Sequence, residues 1–100
     1  MISVNVTFIG SDVKKLTVSG HANYDKYGKD IVCAGVSAVV TGGINALENQ
    51  VDNIEIISRE NELGVKVLNS NEYIQTVLKT ILIQLETIEV SYKKYIKITR

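Results

Sequence analysis

The chain holds one histidine and one cysteine, His21 and Cys33, and both fall in the stretch GHANYDKYGKDIVC. Behind Cys33 the sequence turns apolar and helix-like, and in front of it runs a polar loop ending in Gly28, Lys29 and Asp30. Asp30 stands where a helix N-cap belongs, since a short carboxylate there can accept the N–H of the second or third helical residue. With Asp30 as the cap, Cys33 is the third residue of the helix. A thiol in that first turn lies beside unpaired backbone N–H groups at the positive end of the helix dipole, which favours the nucleophilic thiolate. The negative charge of Asp30 opposes that effect, whereas an imidazolium nearby would reinforce it. His21 is the one residue that can supply an imidazolium. It follows Gly20 at the end of a strand, and the loop is long enough to fold back and bring the ring within hydrogen-bond reach of the sulfur. A cysteine activated by a histidine is the minimum equipment for acyl transfer at a peptide bond. Helix-start amides are the natural donors to the oxyanion that develops on attack. Ser37, one turn after Cys33, can face the same place.

Residue types alone leave duller readings open. Free cysteine early in a buried helix often serves as a small hydrophobe, and a strand-end histidine as a surface residue. Ser37 can bond its own helix backbone, Asp30 can be a cap and nothing more, and Tyr24 to Tyr27 an ordinary solvated loop. Other chemistries fit worse. YGKD lacks the GxxxxGK[ST] spacing of a phosphate loop. One histidine and one cysteine make an unusual set for structural zinc, and thiol–disulfide exchange normally uses a CxxC pair that is absent here. Two non-proteolytic alternatives remain at this point: a small binding module with Cys33 as packing, and a redox sensor using Cys33.

The elements that must position these residues can be read from periodicity. MISVNVTF alternates, with Ile2, Val4, Val6 and Phe8 on one side, and KKLTVSG resumes with Leu16 and Val18 inward, so a hairpin is expected across IGSDV. From Ile31 to about Val51 the period becomes helical. Val32, Val36, Val40, Ile44, Leu47 and Val51 form one face and the small residues Ala34, Ala38, Gly42 and Asn45 another, which predicts a helix buried nearly all round. Gly42 and Gly43 each disfavour a helix interior by about 1 kcal/mol relative to alanine, and imply close approach by another backbone, such as that of a second subunit. NIEIISRENELGVKVLN reads as two strands around a turn at Arg59–Glu62. A second helix, capped within NSNE, carries Ile74, Val77, Leu78, Ile81, Leu85 and Ile88, and KKYIKITR closes as a strand. The order ββαββαβ predicts an α+β fold, a mostly antiparallel sheet covered by two helices.

At 100 residues the chain is expected to be a single domain, 1–100, with one modest core. Eleven basic residues balance eleven acidic ones, so no electrostatic footprint for nucleic acid is expected. The one basic cluster, Lys93, Lys94, Lys97 and Arg100, is assigned to the exposed face of the terminal strand. A single cysteine excludes an internal disulfide. No signal peptide or membrane-length apolar run is seen, so a cytoplasmic protein is expected.

SGHANYDKYGKDIVCAGVSAVVTGGINALE closely resembles the signature of the ribosomal-processing cysteine proteases, the Prp family. That signature has a GHA box, a variable loop ending in glycine and aspartate, and a VCA-x-VS helix start. Gly20, His21, Ala22, Gly28, Asp30, Cys33, Ala34 and Ser37 match it in order and spacing. Gly35 departs from it, standing where a second alanine is expected. The resemblance extends over essentially the whole chain. It implies a cysteine endopeptidase with Cys33 as nucleophile and His21 as general base, supported by Asp30 and Ser37. It also implies a mobile substrate loop drawing on Gly20, Ala22, Asn23, Tyr24, Tyr27 and Gly28, with Gly28 as hinge. The implied substrate is the N-terminal extension of large-subunit ribosomal protein twenty-seven, the implied assembly a homodimer, and no metal or organic cofactor is implied.

Overall fold

A computed structural model describes all 100 residues. The elements follow the expected order: β1 (Ile2–Ile9), β2 (Asp12–Ser19), α1 (Ile31–Asn45), β3 (Ile54–Arg59), β4 (Glu62–Val67), α2 (Glu72–Tyr92) and β5 (Ile96–Thr99), with a short 3₁₀ turn at Glu48–Gln50. The five strands form one sheet in the order β3-β4-β2-β1-β5. Every pairing is antiparallel except β1 with β5, which is parallel. The fold is α+β.

Alternation decides which face of the sheet is covered. Ile2, Val4 and Val6 of β1, Leu16 of β2, Val65 and Val67 of β4 and Ile96 of β5 point to one side, where they meet Val32, Val36 and Val40 of α1 and Ile74, Leu78, Ile81 and Leu85 of α2 in a single core. Ser3, Asn5, Lys15, Glu55 and Lys66 occupy the opposite, solvated face. Two helix N-caps set the starts. Asp30 Oδ1 accepts the Cys33 N–H at 2.9 Å, and Asn71 Oδ1 accepts the Ile74 N–H at 2.9 Å. Buried Gln75 ties α2 to the sheet: its Oε1 accepts the Val13 N–H at 2.8 Å, and its Nε2 donates to the Val13 carbonyl at 2.9 Å.

Five expectations are corrected. Phe8 is partly exposed, at 38%, although it pairs with buried Val13: it stands near the end of β1, beyond the slip in register that follows Thr7. Helix α1 ends at Asn45 rather than near Val51, and Leu47 reaches the core from the turn that follows. Nor is α1 buried all round, since Ala34, Ala38, Gly42 and Asn45 face solvent. At Gly43 the close neighbour is a side chain, not a backbone: a Cβ there would collide with Ile81 of α2, while at Gly42 it would meet nothing within 4 Å. Of the basic cluster, Lys97 lies on β5 and Arg100 just beyond it, but Lys93 and Lys94 belong to the end of α2 and the turn after it.

Candidate active site

The register of the sheet builds the site. Pairing of β2 with β4 sets Ser19 opposite Glu62 and Val18 opposite Leu63, so the end of β2 and the tip of the β3–β4 hairpin lie side by side. Gly20 follows at once with a left-handed φ of 84°, and a Cβ at that position would come within 2.5 Å of the Met1 carbonyl oxygen. Only glycine meets both conditions, and the approach seats the start of β1 beside the loop. The result is an open groove of about 260 Å³ with an apolar floor that includes Ile2, Val18, Val36 and Leu63. His21, Cys33 and Ser37 line it from one side and Arg59, Glu60, Asn61 and Glu62 from the other.

Both chemically distinctive residues therefore face one groove. His21 is exposed, Cys33 is half-buried in the first turn of α1, and the thiol is free. No hydrogen bond joins the two side chains. Cys33 Sγ instead accepts the backbone N–H of Ala22 at 3.3 Å. Ala22 is buried, only 3% exposed, so this N–H is fixed by packing as well as by the sulfur. Ser37 reaches the groove with no hydrogen-bond partner in the protein, which sets aside the expectation that it bonds its own helix.

The expectation for the helix-start amides is corrected at the nucleophile itself. The Cys33 N–H is taken by Asp30 Oδ1 and the Ala34 N–H by the Asp30 carbonyl at 3.0 Å. Asp30 divides its carboxylate between two tasks. While Oδ1 caps α1, Oδ2 accepts the N–H groups of Tyr24 at 2.9 Å and Asp25 at 3.4 Å. Desolvation alone would push this carboxyl up, but the backbone N–H groups of Cys33, Tyr24 and Asp25 and the Cys33 thiol outweigh it and hold it below the ordinary carboxylate range. A depressed folded value stabilises the protein above the unfolded value, about 3.9, and that stability disappears as pH falls through the lower folded value. Urea midpoints recorded against pH should therefore fall in acid for the native chain. Asp30→Asn, which keeps a capping oxygen but not the charge, should lose part of that fall.

The loop from Ala22 to Lys29 is fastened unevenly. The Tyr24 ring meets Tyr92 and Tyr95 edge to face, with centroids 5.6 Å and 5.1 Å away, a favoured aromatic geometry. Tyr92 ends α2 and Tyr95 precedes β5, so the loop is anchored to the far end of the chain. Asn23 holds a left-handed φ of 56° on the way. Beyond Asp25 the ties thin out. Tyr27 is fully exposed, and neither it nor Tyr24 lines the groove. Gly28 has φ 83° with open space around it, so its glycine answers to conformation and not to crowding.

Periodicity did not reveal the far wall. Arg59 pairs with Glu62 at 2.7 Å across the hairpin tip, and nothing in the sequence links that tip to His21. The signal lies in the order of strands, which alternation does not encode. No group of three or more His, Cys, Asp or Glu side chains is arranged to hold a metal ion, and no helix is long and apolar enough to cross a membrane.

Comparison with known proteins finds relatives along the whole chain. The family model described as Cysteine protease Prp matches residues 1–97. Among characterised relatives, the Ribosomal processing cysteine protease Prp of Staphylococcus aureus is 36% identical over 105 aligned positions, covering 98% of this chain and 97% of the relative. The protein of the same name from Mycoplasma pneumoniae is 33% identical over 82 positions, covering 82% of each. The crystal structure of an essential ribosomal processing protease Prp from S. aureus in complex with a covalently linked product peptide superposes with a TM-score of 0.91 at 32% identity, covering 99% of this chain and 98% of that one. A second S. aureus structure, in complex with a substrate peptide, gives a TM-score of 0.84 at 31% identity, covering 99% and 98%.

Proposed function

This chain belongs to the Prp family of ribosomal processing cysteine proteases, and from that premise we propose that residues 1–100 form a protease domain that removes the N-terminal extension of large-subunit ribosomal protein twenty-seven through Cys33 and His21. The observation that carries the reading is the shared groove, with Cys33 and His21 lining one side of an apolar floor. An extended peptide laid along that floor buries apolar side chains while its scissile carbonyl meets the sulfur.

The chemistry follows from the side chains. The Cys33 thiolate attacks the carbonyl carbon, forming a C–S bond and moving the carbonyl π pair onto oxygen. Collapse of this intermediate breaks the C–N bond, and imidazolium at His21 delivers its proton to the departing amine. Water, deprotonated by the now neutral imidazole, then adds to the thioester carbonyl, and collapse breaks the C–S bond, releasing the acid and returning the thiolate beside an imidazolium. Asp30 has a positioning part, because it seats α1 under Cys33 and fastens Tyr24. Ser37, with its free hydroxyl, is a polar contact for the peptide. The less fastened part of the loop Ala22–Lys29, with Tyr27 and Gly28, closes on substrate, while Ala22, Asn23 and Tyr24 hold their places. A cytoplasmic homodimer is the form in which the protein acts, since its substrate is made and assembled there. No metal or organic cofactor is called for by this chemistry. The non-enzymatic module considered from residues alone is set aside by membership of a protease family.

Incubating the protein with a peptide that carries the extension and reading the products by mass spectrometry tests the proposal. One cut, leaving the mature N-terminus, is expected. An intact peptide under conditions that process the full ribosomal protein would point to recognition beyond the groove, and no cut in either would overturn the assignment.

A further inference from the structure

Acyl transfer needs a hydrogen-bond donor aimed at the oxygen that becomes negative, and the usual donor beside a nucleophilic cysteine, its own N–H, is already committed to Asp30 Oδ1 at 2.9 Å. One other backbone N–H is directed at the reacting atom, that of Ala22, 3.3 Å from Sγ. We infer that the Ala22 N–H is the oxyanion donor of the reaction, moving from sulfur to the carbonyl oxygen as the C–S bond forms. This rests on the protease reading above and extends it to a group whose side chain does no chemistry.

The geometry supports such a transfer. In the tetrahedral intermediate the new oxyanion and the sulfur are bonded to the same carbon, so a donor already directed at the sulfur is within reach of the oxygen, and only its acceptor changes. Charge travels the same way, from thiolate to oxygen. Sulfur is a weak acceptor and an oxyanion a strong one, so the bond strengthens on going to the transition state, which is the condition for catalysis. The donor is also held in place beforehand. Ala22 is buried, Gly20 is locked against Met1, and Tyr24 is pinned by Asp30 and two aromatic rings. A fixed dipole needs no reorganisation when the charge appears.

Because Cys33 is the sole cysteine, the chain can be assembled by joining a synthetic 1–32 segment to 33–100 at that residue, and the bond between His21 and Ala22 can be made an ester that lacks the N–H. Removing a full oxyanion donor costs about 10²–10³-fold in kcat. Since this N–H also serves the thiolate, a loss of roughly tenfold to a hundredfold is expected, with KM unchanged. Alkylation by iodoacetamide develops no oxyanion, so its plateau rate at high pH should match that of the all-amide protein. Cleavage at the all-amide rate, or equal losses in cleavage and alkylation, would overturn the inference. A measurement on the unmodified chain guards against misfolding of the ester. A peptide aldehyde, which forms a hemithioacetal with a tetrahedral oxygen, should shift the Ala22 amide proton strongly downfield, and the iodoacetamide thioether should not. Equal shifts from both reagents would also overturn it. An all-amide ligated protein that leaves the peptide uncut would instead sink the protease reading, and this inference with it.

Discussion

Cys33→Ala reduces cleavage of the extension peptide to the uncatalysed background, a loss of at least about 10⁴-fold, while the protein still folds. Removing a nucleophile costs that much because the covalent route disappears and no neighbouring group replaces it, and the chain has no second cysteine. The fold tolerates the change because Cys33 only packs against the edge of the core, where the larger buried residues on α1 are Val32, Val36 and Val40. Circular dichroism and urea denaturation check the fold, and product quantification by mass spectrometry checks the activity. A variant that cut at more than about one-hundredth of the native rate would rule out the covalent mechanism, since general acid–base catalysis by a lone histidine supplies only about 10²–10⁴-fold. Cys33→Ser serves as a companion, retaining the volume with a poorer nucleophile, and should be nearly as inactive.

His21→Ala should slow cleavage by about 10²–10⁴-fold, the usual contribution of a general acid–base residue, with little change in stability because the side chain is exposed. Two features of the groove sharpen this expectation. The ring lies open to solvent, so the void left by truncation is accessible to a free base, and added imidazole should restore part of the rate. The ring is also unbonded to the sulfur while Ala22 occupies it, so His21 must act by turning toward the scissile bond when peptide is present. Alkylation of Cys33 against pH separates ion-pair activation from later proton delivery. A profile unchanged by His21→Ala means that the imidazole serves only the leaving amine. A variant with the full cleavage rate and no response to imidazole means that it serves neither.

The sequence was informative where side chains decide structure locally. Ile2, Val4 and Val6 alternate because one face of β1 is covered, and Asp30 marks one helix start and NSNE brackets another because a side chain at each satisfies early N–H groups. It was uninformative where structure depends on which elements meet. The slip in register after Thr7 depends on the pairing of two strands, not on either alone. Gly43 gives way to Ile81, a residue far along the chain, so its purpose could not be read from α1. The same holds for the site. His21, Cys33 and Asp30 stood out by residue type and spacing. The opposing wall at Arg59–Glu62 did not, because it arrives through the register of Ser19 with Glu62, and the commitment of the Cys33 amide to its own cap became visible only in three dimensions.

The two oxygens of Asp30 answer to different parts of the molecule. Losing the bonds to Tyr24 and Asp25 on one oxygen leaves the other on the Cys33 amide, so a disturbance of the loop need not unwind the first turn of the helix. Solvent exchange at the Tyr24 and Asp25 amides then follows a low-energy local opening, while the Cys33 amide exchanges only when the helix itself frays. Loop and helix start thus occupy separate rungs of the stability ladder, and a sequence change that loosens the first leaves the second standing.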